Sequence, residues 1–481
     1  MDFSLPLIIV GVLVSFFVAT QLLKRFAKAE PVFNIISLLR TKRFNASADA
    51  FAKNKWLERL AELGVILGFG VLAIDFLYAR KMPKAKRALV LIGSAIALGL
   101  FLIAVSEPIG IKILENPLFS NTVSIAIIVS FALLGFAGFT LALLAYSAID
   151  IVTKVFAGST PCPGIAPIIP GVQFPNVPKE LTPPLHIWLV FFVLLFVHEF
   201  SHGILMRRAK IQIKSFGLLL LGYLPFGAFA EPNEKQLKKI THSAPEKALK
   251  VYAAGPASNL YSIPIIIAIM LLYSLLVFSP FVLPFAKTVE AKAVNGIIVG
   301  QVDANYSFCG TTYKNPAFGI LEKGMIVKQI NGTTTKVPSD LAKIRYKETD
   351  NNFLVDANGT LLEKHFSFSE KNQLGLRALN LDINRNKDYN APKLYGIVAT
   401  TNNLIDSFLT WLFLLSIAVA TANFLPMDPF DGGRMIKILL LPYLRFLKMS
   451  RADTEKLIGR VFLWIVLGLI LLNALPLFLI K

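Results

Sequence analysis

The sequence predicts an all-α polytopic membrane protein of about six to nine transmembrane helices, with a small α+β soluble insert and a short membrane-dipping hairpin. Three observations carry that expectation. Residues AVILMFWYC make up 55% of the 481 and charged residues 16%, more apolar surface than a water-soluble fold covers. Eight nearly charge-free runs approach or exceed the roughly 18–20 residues that cross a bilayer core. Between residues 285 and 403 the character reverses, with charges, Asn, Gly and Thr and short alternating runs such as Met325–Ile330.

Ser4–Leu23 is the first run. Met1-Asp2-Phe3 offers no basic n-region and no A-x-A site follows, so it reads as a retained anchor rather than a signal peptide. A basic loop, 24–59, leads to Leu60–Ala79, Ala88–Ser106 and Thr122–Val152, and residues 1–158 form an N-terminal transmembrane extension. Thr122–Val152 is long for one span and is expected to tilt strongly or break. Pro161–Pro184 holds eight prolines, which makes 159–184 a loop, because proline lacks the N–H a helix interior uses. Residues 185–284 contain Leu185–Met206 and Ala248–Pro284, the first part of a membrane core. Between them Phe216–Phe229 is too short to span, and its Gly and Pro spacing suggests the hairpin. The insert, 285–403, precedes the second part of the core, 404–481, with Leu404–Leu425 and Val461–Leu479.

The net charge of +19 sits in clusters beside apolar runs, as the positive-inside bias predicts, so no nucleic-acid partner is expected. Lys24–Arg59 carries nine Lys/Arg, Arg207–Lys247 eight and Arg445–Arg460 five. All three are cytoplasmic if the N-terminus lies outside, which also places the insert outside. Arg80–Arg87, with five basic residues, then falls on the wrong side unless a flanking helix fails to span. Two cysteines, Cys162 and Cys309, are too few for a disulfide framework or a four-cysteine zinc site.

One constellation carries chemistry. His198-Glu199-Phe200-Ser201-His202 is HExxH inside an apolar run. On a helix, positions i and i+4 share a face, so both imidazoles can grip one ion while Glu199 reaches its water. A carboxylate at such depth carries an insertion cost of about 2.5–3.5 kcal/mol, so a metal site is a better account than a polar helix contact. A catalytic zinc site needs a third protein ligand. Glu231 follows the short apolar hairpin, and Asp428 and Asp431 lie in Asn423-Phe-Leu-Pro-Met-Asp-Pro-Phe-Asp431-Gly432-Gly433; periodicity does not separate the last two. Gly255-Pro256-Ala257-Ser258-Asn259 opens another span, where small residues allow close helix contact and Asn259 can hydrogen-bond across the bundle. In the insert, Gly319–Gly332 reads as strand, tight Asn331-Gly332 turn and strand, followed by a helix capped by Ser339.

HEFSH at 198–202, GPASN at 255–259 and NFLPMDPFDGG at 423–433 together resemble the site-2 protease family of intramembrane zinc metalloproteases, and the likeness covers roughly residues 160–440. The 319–341 run resembles the PDZ domain that many members insert, and Lys24–Gly70, with Arg40-Thr41-Lys42, resembles the N-terminal extension of larger relatives. Position by position, the resemblance implies that His198, His202 and Asp431 ligate one catalytic Zn2+ and that Glu199 acts on its water as general base. Asn259 and Asn423 would sit beside the substrate, a transmembrane segment of another membrane protein within the lipid bilayer. Asp428 departs from the family pattern, which commonly has apolar residues around that position, and Phe430 stands where an aliphatic residue is usual. Asn305, Asn331 and Asn358 head sequons in the insert.

The alternatives are a membrane metal-ion transporter, a prenyl-protein type of HExxH protease and an inactive scaffold with a peptide-binding insert. A transporter needs several polar spans, a prenyl-protein type protease a downstream helical glutamate, and a scaffold would not require intact His198, Glu199, His202 and Asp431.

Overall fold

The computed structural model describes residues 4–479 apart from 107–120, 175–176, 178–181, 309–310, 337–339, 341–343, 345–349, 368–380 and 387. In chain order the helices are α1 (Ser4–Ala27), α2 (Phe44–Ala52), α3 (Trp56–Ile74, prolonged by a π-helical turn Asp75–Ala79), α4 (Lys84–Ser106), α5 (Asn121–Phe156), α6 (Trp188–Arg208), α7 (Glu234–Ser243), α8 (Pro245–Tyr273), α9 (Leu283–Ala293), α10 (Lys393–Asn423), α11 (Asp431–Leu440) and α12 (Arg451–Ala474). Among the described residues eight helices are long and apolar enough to cross a membrane, and each coincides with one of the eight expected runs. The protein is a polytopic membrane protein.

The chain divides into two compact units: residues 1–153, 163–266 and 410–481, and residues 154–162 with 267–409. In the first, the expected hairpin is real: β3 (Ile213–Leu221) and β4 (Leu224–Pro232) pair antiparallel, with Leu221 opposite Leu224. The two-residue turn has Gly222 at φ 59, the positive φ that a type II′ turn requires at its first central position. The basic loop 24–59 departs from expectation. It contains β1 (Glu30–Phe33) and β2 (Ile36–Thr41), and β2 pairs with β3 to give a four-stranded antiparallel sheet in the order β1-β2-β3-β4. Short strands among lysines and arginines carry little signal until their partner, some 180 residues on, is known.

Helix α6 ends for an identifiable reason. Lys210 takes φ 60, and the N–H groups of Lys210 and Ile211 bond the carbonyls of Arg207 and Met206 at 2.9 and 2.8 Å. This is a Schellman closure with a lysine in the left-handed position usually held by glycine.

Two helices double back. A straight 24-residue helix over Trp56–Ala79 would be about 36 Å long. Instead, Glu58 and Glu62 near its start pair with Lys250 of α8 at 3.3 and 2.5 Å, while Arg80 just past its end lies 3.9 Å from Glu246, one turn earlier on α8. The reversal is at Gly70 (φ 54, ψ −137). Helix α5 breaks likewise at Leu134–Gly135, with Gly135 at φ 55 and ψ −146. A Cβ on Gly138 would lie 2.1 Å from the Ser130 carbonyl, although eight residues of straight helix span about 12 Å. The returning end of α3 is fixed by Asp75, which accepts from Arg87 Nε and Nη2 at 2.8 and 2.6 Å and from Tyr443 at 2.6 Å. Arg80 therefore lies beside the start of α8, at the same end of that helix as Glu58 and Glu62. The surrounding core joins Val65, Phe69 and Phe76 to Leu249, Phe424, Ile436 and Leu439.

The second unit carries β5 (Val294–Val299), β6 (Asn305–Phe308), β7 (Thr311–Lys314), β8 (Ile326–Ile330), β9 (Thr333–Thr334), β10 (Asn351–Ala357), β11 (Thr360–Phe366) and β12 (Leu381–Arg385). Its main sheet runs β11-β10-β8-β5-β12 with β9 on β8, closed over Ile297, Val327, Ile330, Phe353 and Val355. The Asn331-Gly332 turn is as expected, both residues at positive φ (50 and 79), and Asn358-Gly359 repeats it between β10 and β11 (53 and 90). Both side-chain polar atoms of Asn331 are engaged, with Asn351 and Asn352. Ser339 lies outside the described residues. Cys162 is disulfide-bonded; Cys309 lies outside the described residues.

Candidate metal centre

The site is built between two helices. His198 and His202 stand one turn apart on α6 with ring centroids 4.9 Å apart, both buried. Facing them on α8 is a stripe at four-residue spacing: Val251, Gly255 and Asn259. His202 Nδ1 lies 2.7 Å from the Val251 carbonyl and donates to it. His198 Nδ1 lies 3.2 Å from the Asn259 carboxamide, a fully buried group whose Oδ1 otherwise has no partner. With that oxygen turned to the imidazole, Nδ1–H is the donor and both groups are satisfied. Each histidine thus presents a bare Nε2.

Between those nitrogens the α8 stripe has no side chain. A Cβ on Gly255 would lie 2.3 Å from His202 Nε2 and 2.4 Å from His198 Nε2. The third group arrives from the start of α11. Asp431 Oδ2 lies 3.3 Å from His198 Nε2 and 3.0 Å from His202 Nε2, and the two nitrogens are 3.2 Å apart. Gly432 and Gly433 let α11 begin against the preceding turn, since Cβ atoms there would lie 2.2 Å from the Phe424 carbonyl oxygen and 2.4 Å from the Met427 carbonyl carbon. Close approach, not a positive φ, is what the pair supplies.

These residues fit zinc. Ligands about 2.0–2.1 Å from a tetrahedral ion stand about 3.3 Å from one another, the spacing seen here. With both Nδ1 atoms committed as donors, two lone pairs and a carboxylate converge with no proton between them, and a cation resolves that arrangement. Among the described residues, His198, His202 and Asp431 are the group of three that could hold a metal.

The other acidic candidates are corrected. Asp428 is half-exposed and ion-paired with Lys437. Glu231 is bracketed by Arg40, Lys214 at 3.1 Å and Ser215 at 3.1 Å. Burial pushes its carboxyl up, but hydrogen bonds from Lys214 and Ser215 and the charges of Arg40 and Lys214 hold it below the usual carboxylate range. Asn259, expected beside substrate, lies against His198.

Glu199 is placed by the sheet. Its Oε2 accepts the Ala230 N–H of β4 at 2.9 Å, and it lines two cavities. One, about 760 Å³, is polar and includes His198, His202, Asp431, Asn423 and Arg434. The other, about 690 Å³, is walled by Phe44, Phe192, Phe196, Phe200, Phe216 and Phe229. Asn423 lines the first of these cavities, its amide bonded back to the Val419 carbonyl at 2.9 Å. Gly255, Val251 and Ala230 were missed by sequence reasoning. Only Gly255 leaves a signal, as the small residue opening GPASN, which fits packing and a role at the site equally well.

Substituting Asn259→Leu, close in volume, leaves His198 Nδ1–H without an acceptor. Zinc affinity, measured by chelator competition, is expected to fall about 10–100-fold; unchanged affinity would return Asn259 to a substrate-facing role.

Apolar helices enclosing a two-histidine, one-carboxylate cluster with a second carboxylate, Glu199, beside it define a class: an integral membrane protein with a metallohydrolase constellation. The chain belongs to peptidase family M50, whose family model matches residues 186–469, more than half of it. An uncharacterized protein of Methanocaldococcus jannaschii is 24% identical over 344 residues, 67% of this chain and 77% of that protein. Family membership supports an intramembrane metalloprotease, and M50 proteases are zinc-dependent in general.

Proposed function

We propose that the protein is a zinc-dependent endopeptidase that hydrolyses a peptide bond within or near a transmembrane segment of another membrane protein, as in regulated intramembrane proteolysis. The convergence of His198 Nε2, His202 Nε2 and Asp431 Oδ2 beside Glu199 carries this reading. A zinc ion held by those three groups supplies Lewis-acid polarisation of the scissile carbonyl and lowers the pKa of water. Glu199 takes the proton of the attacking water and delivers it to the leaving amine. To act so it exchanges its bond with Ala230 N–H for one to water, while the histidines keep their orientation through Val251 and Asn259.

A helical substrate hides its peptide bonds, so it must unwind, which favours Gly, Pro or Asn near the cut. Strand β4 ends the sheet order, and an extended segment can add to such an edge. The phenylalanine-walled cavity suits bulky apolar side chains flanking the bond, and Asn423 borders the other. The topology that fits the charge pattern has the N-terminus and the insert outside the cytoplasm and the metal site toward the cytoplasmic side. With α3 doubling back, all four basic clusters then face the cytoplasm. The insert, in our reading PDZ-like, acts outside as a size filter or binds a peptide end.

The test compares wild type with Glu199→Gln, each with bound zinc quantified and each given tagged transmembrane substrates. Wild type is expected to cut, and the variant to keep zinc and lose about 10²–10⁴-fold in rate. A variant that cuts at the wild-type rate sinks the mechanism; two folded proteins that hold no metal sink the assignment.

A further inference from the structure

A third cavity, about 440 Å³, lies at the C-terminal end of α6, lined by residues at the ends of α2, α3, α6 and α8. Six cations line it, Lys53, Arg207, Arg208, Lys210, Lys247 and Lys250, against two acids, Asp49 and Glu58. Three of the cations have assigned partners. Arg207 Nε lies 3.2 Å from Asp49, Arg208 Nε 2.7 Å from Glu58, and Lys250 pairs with Glu58 and Glu62. Lys53, Lys210 and Lys247 are exposed and, among the described residues, make no ion pair. The positive-inside bias accounts for basic residues scattered at a helix end. It does not account for three helices turning theirs into one concave surface with an unneutralised excess, nor for Lys210 at φ 60, where glycine would be less strained.

We propose that this cavity binds a phosphate-bearing anion, either the headgroup of an acidic phospholipid or a soluble phosphate compound. A concave cluster of lysines and arginines at the water–membrane boundary is the chemistry that recognises phosphate there. The site lies close in sequence to the metal bracket: Arg208 follows His202 on α6, and Lys250 precedes Val251, the acceptor for His202 Nδ1. An anion held between them ties together the ends of the two helices that orient His202. The proposal stands independently of proteolysis.

The test uses full-length protein in neutral detergent, with binding read by native mass spectrometry and by the melting temperature. The probes are short-chain phosphatidylglycerol, phosphatidylcholine and inorganic phosphate. Wild type is expected to retain phosphatidylglycerol over phosphatidylcholine and to melt higher with it, as a ligand of the native state requires. The Lys53→Gln/Lys247→Gln variant should bind about thirtyfold more weakly. Neither lysine makes an ion pair among the described residues, and an unchanged ligand-free melting temperature confirms that folding is intact. A Lys86→Gln/Lys456→Gln control, which removes the same charge elsewhere, should bind as wild type does.

If inorganic phosphate alone binds with the same dependence on Lys53 and Lys247 and phosphatidylglycerol adds nothing, the site stands and its ligand is soluble. If neither probe binds, or the variant and control weaken equally, the proposal is overturned, since diffuse surface charge then explains the cluster.

Discussion

Gly255→Ala is expected to give a folded protein that holds almost no zinc and has no measurable proteolysis. The added methyl would lie 2.3 and 2.4 Å from the two histidine nitrogens, where a zinc ion about 2.0–2.1 Å from each must fit. Both rings are anchored at Nδ1, by the Val251 carbonyl and the Asn259 carboxamide, so they cannot swing aside without losing a buried hydrogen bond. Alanine in a helix interior is better than glycine by about 0.8–1.0 kcal/mol, so the loss should not come from a weaker α8. The measurements are metal content per chain, circular dichroism and cleavage. Gly468→Ala, whose Cβ would meet nothing within 4 Å, is the control. One equivalent of zinc and wild-type activity in Gly255→Ala would mean the converging nitrogens are not the metal site.

That residue also marks a boundary of what the chain reveals unaided. His198, Glu199 and His202 are legible because helical periodicity alone puts both rings on one face. The eight helices apolar enough to cross a membrane are legible because runs without charge have few other uses. Periodicity does not separate Asp431 from Asp428, because what distinguishes the acidic candidates is the partner each meets in the fold. Lys437 neutralises Asp428, and Arg40, 191 residues before Glu231, helps neutralise that one. Strands β1 and β2 were hidden for the same reason, their partner being β3. Gly255 looked like a packing residue since its function is an absent side chain, seen only once His198 and His202 are docked against α8. The discord of Arg80–Arg87 was visible in the charges, yet its cause needs the contact between two glycines 65 residues apart.

Those glycines carry the second large effect. Gly70 and Gly135 interlock the breaks of α3 and α5: a Cβ on Gly70 would lie 2.5 Å from the Ala132 carbonyl oxygen, and one on Gly135 2.1 Å from the Leu67 carbonyl oxygen. Both obstacles are backbone and cannot rotate away. Each residue is also at positive φ with ψ near −140, a region side chains enter at about 1–3 kcal/mol. Overpacking adds about 1–3 kcal/mol, so Gly70→Ala should destabilise by roughly 2–6 kcal/mol, seen as a large fall in melting temperature or in accumulation. Gly93→Ala on α4, with open space around it, should be neutral or stabilising. The double substitution of Gly70 and Gly135 should cost less than the sum, because the two share one contact. The reversal itself is read by labelling: a cysteine at Lys84 should react from the same side as one at Lys456. In Gly70→Ala protein that survives, α3 is freed to straighten and Lys84 should lose that shared exposure. Labelling of Lys84 and Lys456 from opposite sides in the otherwise native chain would show that α3 crosses the membrane, and the interlock would then have to be abandoned.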